Sequence, residues 1–147
     1  MEVYETKLEI RWSDLDPNYH VRHSAYYDYG AFSRISFLNK HGITPELMVE
    51  HTIGPILFRE ECIFKKEIQF GDELMINVKL DKALADMSRW TIIHELWKNS
   101  TKLAAVITVD GAWLNTRVRK LEKPPEICKS VFEHMAKTEK FEYVERK

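Results

Sequence analysis

The sequence predicts an α+β protein: a curved, mostly antiparallel sheet of about five strands wrapped around one long helix, with a further helix near the C-terminus. Three observations carry that expectation. A strictly alternating stretch opens the chain, one long helical pattern follows it, and almost everything after that reads as strand. Strands adjacent in sequence mostly pair as hairpins, which makes the sheet largely antiparallel. One sheet packed on one buried helix is a stable layered solution.

From Val3 to Trp12 the chain alternates, with Tyr4, Thr6, Leu8, Ile10 and Trp12 on one face and Glu5, Lys7, Glu9 and Arg11 on the other. That is a half-buried strand. Ser13 to Asn18 is turn chemistry. From about Ser24 to His41 the spacing becomes helical: Tyr26, Tyr29, Ser33 and Phe37 form one stripe and Ala25, Phe32 and Ile35 a neighbouring one. With Gly30, Ala31 and Ser33 included, the helix is expected to be buried on most sides. Gly42 is a C-terminal cap. Thr44-Pro45-Glu46 opens a short second helix, with Thr as cap and Pro at the first helical position.

Ile56 to Ile68 is β-rich, Phe70-Gly71-Asp72-Glu73 is a turn, and Leu74, Ile76, Val78 and Leu80 alternate with polar neighbours. Arg89 to Trp97 is a strand with Trp90, Ile92, His94 and Leu96 on one face. Leu103 to Val109 is continuously apolar, as in a strand covered on both faces. Gly111 in its continuation marks a bulge or a close backbone approach. Pro124-Pro125-Glu126 opens the last helix, with Ile127, Val131, His134 and Met135 on one side. No repeat or linker interrupts residues 1–147, which read as a single domain.

Composition narrows the function. The chain has 147 residues, 44% hydrophobic and 31% charged, with 22 Lys plus Arg against 23 Asp plus Glu. The net charge of −1 argues against a general nucleic-acid footprint, and the hydrophobic content against disorder. Aromatic residues reach 12%, a large ring content to place. Cys62 and Cys128 sit in no metal or disulfide pattern and read as free, buried thiols. The acidic, alternating N-terminus does not resemble a signal peptide, and no apolar run approaches the roughly 18 residues of a membrane span. A cytoplasmic protein without membrane attachment is expected.

Chemistry concentrates in one segment, Arg11 to Arg34, which holds Asp14, Asp16, Asn18, His20 and His23. In an extended chain Asp14 and Asp16 face the same way, and Pro17 biases Asp16 toward the extended region. Like charge and burial are expected to raise the pKa of one of the two. The segment runs into a helix N-terminus with free backbone N–H groups and partial positive charge. A carboxylate that activates water or attacks a carbonyl, beside N–H donors for an oxyanion, is what acyl transfer needs. The same residues also suit a turn and cap, or a site of hard and borderline metal ligands from Asp14, Asp16, His20 and His23. No ligand-spacing motif such as HExxH accompanies them, so no metal site is assigned.

The segment resembles the signature of the hotdog-fold thioesterases, specifically the 4-hydroxybenzoyl-CoA thioesterase-like acyl-CoA thioesterases. It matches at Arg11, Trp12, Asp14, Asp16, His20, Val21, Tyr26 and Arg34, and Gly71-Asp72 falls at a common Gly-Asp turn. The Trp-Ser-Asp-Leu-Asp run also resembles acyl-ACP thioesterases. The resemblance implies a thioester hydrolase with Asp16 as catalytic carboxylate, a polarising backbone N–H near His23, and Tyr26 on the first helical turn. It implies no cofactor beyond coenzyme A as part of the substrate. Tyr19 stands in place of the usual Gly, so the loop is expected to be less tight. Arg22 and His23 replace the usual Asn pair. Ala31 and Phe32 stand where many members carry Glu, which leaves Asp16 as the carboxylate.

The family also implies a homodimer, or a dimer of dimers (a homotetramer), with active sites between subunits. Asn18, His20, Tyr29, Arg59, Ser88, Arg89 and Trp90 are the substrate-binding candidates. Arg59 and Arg89 would meet CoA phosphates, though an exposed ion pair is the alternative for each. Tyr26, Tyr29 and Trp90 would wall the acyl pocket, or simply belong to the core. A non-catalytic acyl-binding module on the same fold is the competing reading.

Overall fold

In the computed structural model, which describes residues 2–145, the chain runs β1 (Tyr4–Leu8), a 3₁₀ turn (Trp12–Asp14), α1 (Ala25–Lys40), α2 (Pro45–His51), β2 (Ile53–Phe64), β3 (Leu74–Ala83), β4 (Arg89–Lys98), β5 (Lys102–Asn115), β6 (Lys120–Leu121), α3 (Glu126–His134) and β7 (Lys137–Tyr143). The strands make one sheet in the order β1-β3-β4-β5-β2. Every pairing along that path is antiparallel. β6 adds to β5, and β7 adds to β3 in parallel, beyond the end of β1.

The inner face of the sheet carries the expected alternation. Leu74, Ile76, Val78 and Leu80 on β3, and Trp90, Ile92, His94 and Leu96 on β4, are all buried. α1 crosses this face with Ala25, Tyr26, Tyr29, Ser33 and Phe37 inward. Gly42 closes the helix with a φ of +87°, a left-handed turn that glycine adopts without strain. The Thr44 hydroxyl accepts from Leu47 N–H at 3.1 Å, and Pro45 begins α2. Gly111 is a close approach: a Cβ there would sit 2.3 Å from Trp90 and 2.6 Å from the Ile56 carbonyl.

Several sequence expectations change. β1 ends at Leu8, and Trp12 is 73% exposed against Tyr19 rather than part of a buried face. The cause is Asp14, which draws the chain into a 3₁₀ turn by accepting from the Arg11 N–H at 2.9 Å. Phe32 and Ile35 are exposed, so α1 is covered on one side and open on the other. β5 is buried on its inner face, while Val106, Thr108 and Asp110 on the outer face are only half covered. α3 turns Cys128 and Phe132 inward, with Met135 following them; Ile127 and His134 are exposed. Phe132 explains the choice, because its ring packs on Trp90 and Trp113 with centroids at 5.4 and 5.2 Å. β7 lies in a polar stretch with no apolar alternation. Cys128 is buried, Cys62 is half-buried, and both thiols are free. No helix among the described residues is long and apolar enough to cross a membrane.

Candidate active site

The loop between the 3₁₀ turn and α1 is laced from within. Asp16 N–H donates to the His20 carbonyl at 2.7 Å, and Tyr19 N–H donates to the Asp16 carbonyl at 2.9 Å. The Asp16 Oδ1 accepts from the N–H groups of Asn18 (2.8 Å) and His20 (3.1 Å). These bonds close a tight turn although Tyr19 holds φ at +65°, a conformation natural to glycine. The expectation of a looser loop is therefore overturned: the hydrogen bonds impose the backbone and Tyr19 accepts the strain. Val21 N–H reaches the Ile68 carbonyl at 2.8 Å and Arg22 N–H reaches the Asp14 carbonyl at 2.8 Å, so both ends of the loop are tied down.

The two aspartates, expected to face the same way, are separated by the turn. Asp14 is fully buried and accepts from Arg11 N–H, Arg11 Nη2 (3.1 Å) and the Tyr29 hydroxyl (3.0 Å). Burial pushes its pKa up, but these hydrogen bonds and the Arg11 charge outweigh that and leave it below the ordinary value. For Asp14 the expected rise is thus reversed. Asp16 is half-buried, and its Oδ2 makes no hydrogen bond to the described residues.

Around Asp16 the loop and β2 bring together several groups. The Tyr26 ring meets Phe64 edge-on at 4.9 Å, and His23 meets the same ring at 6.1 Å. Burial, followed by the charges of Cys62, Glu67 and Asp16, pushes the Tyr26 pKa up to about 12, so its hydroxyl stays protonated and can donate. His20 pairs with Glu67 at 3.3 Å. At the start of α1, Ala25 N–H bonds to the Arg22 carbonyl and Tyr26 N–H to the His23 carbonyl. The N–H groups of His23 and Ser24 find no acceptor among the described residues. Asn18 is exposed and contributes its backbone to the turn.

The remaining candidates lie elsewhere. Tyr29 spends its hydroxyl on Asp14 and is buried. Arg59 pairs with Asp110 at 3.3 Å and with Glu61. Ser88 donates to Asp86 at 2.6 Å. Arg89 stacks on Phe58, 5.1 Å from the ring centroid. Ser88, Arg89 and Trp90 border an open recess of about 850 Å³ that also holds Phe58, Lys82 and Lys123. Phe58 and Phe64 are six residues apart on β2, so this recess lies about 20 Å from the Asp16 loop within one chain. A smaller cavity of about 190 Å³, which sequence reasoning missed, lies beside α1 and is lined by Arg34, Leu38, Leu57 and Trp90 among others. Its sequence signals were Trp90, expected as a wall of the acyl pocket, and Arg34, noted only as part of a motif. No three His, Cys, Asp or Glu among the described residues are placed to hold a metal.

The model of the thioesterase-like superfamily matches residues 10–132, which span the loop, α1 and four of the five strands of the main path, β2 to β5. The chain belongs to the thioesterase-like superfamily. Its architecture is the hotdog fold. A hypothetical protein of Staphylococcus aureus, solved in complex with CoA, superposes with a TM-score of 0.84 at 15% identity, covering 93% of this chain and 88% of that one. A 1,4-dihydroxy-2-naphthoyl-CoA thioesterase from Synechocystis gives 0.79 at 15% identity, covering 90% and 97%. The DHNA-CoA thioesterase of S. aureus gives 0.74 at 17% identity, covering 84% and 81%. No curated protein sequence matches. This thioesterase-like chain therefore shares its fold with CoA-thioester enzymes while its side chains have diverged.

Proposed function

We propose that this protein hydrolyses acyl-CoA thioesters to free acid and CoA, with Asp16 as general base or nucleophile. The observation that carries the reading is the Asp16 carboxylate: one oxygen is pinned by two backbone N–H groups and the other has no partner among the described residues, just ahead of the His23 and Ser24 N–H groups, which likewise find none there. As a base, Asp16 takes a proton from water as the water oxygen bonds to the thioester carbon. The oxyanion that forms is held by the helix-start N–H groups. Its collapse breaks the C–S bond, and the proton passes to the departing CoA sulfur. As a nucleophile, Asp16 would instead form an anhydride, expel CoA and be released by water. Tyr26, protonated, can donate a hydrogen bond beside this centre.

The CoA end of the substrate would meet Lys82, Arg89, Lys123 and Ser88 in the recess, which also carries Asp110, Glu122 and Glu145, so its phosphates would find individual cations rather than a positive field. That recess is too far from Asp16 to serve the same chain's site. β2 is an edge strand, pairs with β5 alone among the described residues, and exposes Leu57, Phe58, Ile63 and Phe64. Such an edge invites another strand. Antiparallel pairing of β2 with β2 of a second copy would set one subunit's Phe58 end against the other's Phe64 end, joining recess to loop. A homodimer is the assembly that this supports. A CoA-thioester substrate and two free thiols suit the reducing cytoplasm.

The test is release of free CoA, followed with a thiol reagent, from acyl-CoAs of graded length. Asp16→Asn and Asp16→Ala should each lower kcat by roughly 10²–10⁴ with the fold intact by circular dichroism. Undiminished turnover in either variant removes Asp16 from the mechanism. Absence of hydrolysis on every acyl-CoA, with activity on acyl-ACP, would move the substrate to the carrier protein.

A further inference from the structure

The cavity beside α1 has an unusual polar inventory. It is lined mostly by apolar side chains, including Ile35, Leu38, Leu57, Ile92 and Met135. Its charged member is Arg34, whose guanidinium is largely withdrawn from water on the inner side of α1. The hydrogen bond that Arg34 makes is to His94 Nε2, at 3.1 Å. The other His94 nitrogen, Nδ1, lies 2.7 Å from the Asn77 carbonyl. A carbonyl only accepts, so Nδ1 carries the proton and Nε2 is the acceptor for Arg34. His94 is fully buried and neutral, so it cannot balance the guanidinium charge.

No carboxylate among the described residues forms an ion pair with Arg34. Glu60 is felt only through space, from an exposed position on β2. Trp90 also lines the cavity, and its buried indole N–H has no acceptor among the described residues. The pocket therefore holds a cation, and the side chains that line it contribute no acid. A buried guanidinium without a counter-ion is costly, and its forked N–H groups match a carboxylate.

We propose that Arg34 is a specificity-determining residue that receives the distal carboxylate of a short acyl group whose carbon chain fills this cavity. The inference rests on the thioesterase reading of Asp16 and names the class of its substrate: a short thioester with a second, anionic end. Size agrees, since a cavity of about 150 Å³ holds benzene and this one has about 190 Å³. Position agrees as well. A Cβ at Gly30 would lie 3.3 Å from Arg34 Nη1, so the guanidinium reaches back one turn along α1. Trp90 lines both this cavity and the Arg89 recess, so pairing of β2 with β2 would bring the second copy's Asp16 loop to this end.

The test compares hexanoyl-CoA with adipoyl-CoA, the same chain ending in carboxylate, in the wild type and in Arg34→Met and Arg34→Lys. The wild type should favour adipoyl-CoA in kcat/KM by about ten- to hundred-fold. Arg34→Met should reverse that ratio, and Arg34→Lys should keep part of it. Calorimetry with free adipate and hexanoate on the wild-type protein reads the same preference without turnover or a variant. Hydrolysis of hexanoyl-CoA with no carboxylate preference, or a preference that survives in Arg34→Met, overturns the role of Arg34 and leaves the thioesterase reading standing. Adipate bound more tightly than hexanoate, with no CoA released from either thioester, supports the carboxylate site and overturns the thioesterase reading.

Discussion

Asp14 and Asp16 are two residues apart and chemically identical, yet their surroundings give them different work. Asp14 accepts from Arg11 and Tyr29 inside the protein, so its removal strands a buried hydroxyl and cuts the 3₁₀ turn loose. Asp14→Ala should cost about 2–4 kcal/mol in urea unfolding, whereas Asp16→Asn should cost less than about 1 kcal/mol. Equal losses would show that the two share the structural load. Because the folded pKa of Asp14 is depressed, its contribution is present above the unfolded value of about 3.9 and is lost as pH falls through the lower folded value. Tyr19 offers a test of strain. At φ +65° and 63% exposed, it should tolerate Tyr19→Gly with a gain of up to about 1 kcal/mol, while β-branched Tyr19→Val should lose about 1–2 kcal/mol. A destabilising glycine would mean that the Trp12 contact outweighs the backbone strain.

At the scale of elements, β4 and β5 meet closely because Gly111 lets the Trp90 ring lie over the strand. Gly111→Ala places a methyl group inside that ring and against a backbone carbonyl that cannot swing away. A loss of about 3 kcal/mol or more in thermal or urea unfolding is expected; a neutral substitution would show that Trp90 has another rotamer to adopt. The same ring divides the large recess from the small cavity, so its displacement should disturb both. β2 and α1 supply the other functional edge. α1 buries one side and leaves Phe32 and Ile35 open, while β2 exposes its apolar tips, so the two elements present a continuous uncovered border.

For the whole molecule, that border sets the assembly prediction. If each site joins the Asp16 loop of one copy to the Arg89 recess of another, mixing inactive Asp16→Ala with defective Arg89→Ala rebuilds one intact site in every mixed dimer. Activity should rise above that of either variant alone after subunit exchange; no regain would place each site within a single chain. Stability against acid is the second molecular property. Burial, then the Arg34 charge, pushes the His94 pKa down to about 3, against about 6.5 when unfolded. Between those values the unfolded chain binds the extra proton. Stability is therefore full above about pH 6.5 and falls toward pH 3, by at most about 1.4 kcal/mol per pH unit. His94→Gln should flatten that slope in pH-dependent denaturation, and an unaltered slope would assign the acid sensitivity to the carboxylates.

Local chemistry wrote much of this protein directly into its sequence. Alternation in β3 and β4, the Thr44-Pro45 start, the Gly42 cap and the close approach at Gly111 are properties of neighbouring residues, and each was legible before any fold was known. The segment from Arg11 to Arg34 was equally visible as the place for chemistry. What the sequence left open depends on partners distant along the chain. Only the family resemblance set Asp16 apart from Asp14; their physical difference appeared when Tyr29 came to rest against Asp14. Trp12 kept the strand pattern but lost the strand, because a hydrogen bond at Arg11 turned the backbone. β7 carries no apolar alternation, since its place is set by the free edge of β3 rather than by a face of its own. Arg34 showed as a motif residue, but its lack of a counter-ion emerged only when His94, sixty residues away, occupied it with a neutral nitrogen. Propensity and periodicity act over a few residues, and charge balance in a cavity is a sum over the elements that enclose it.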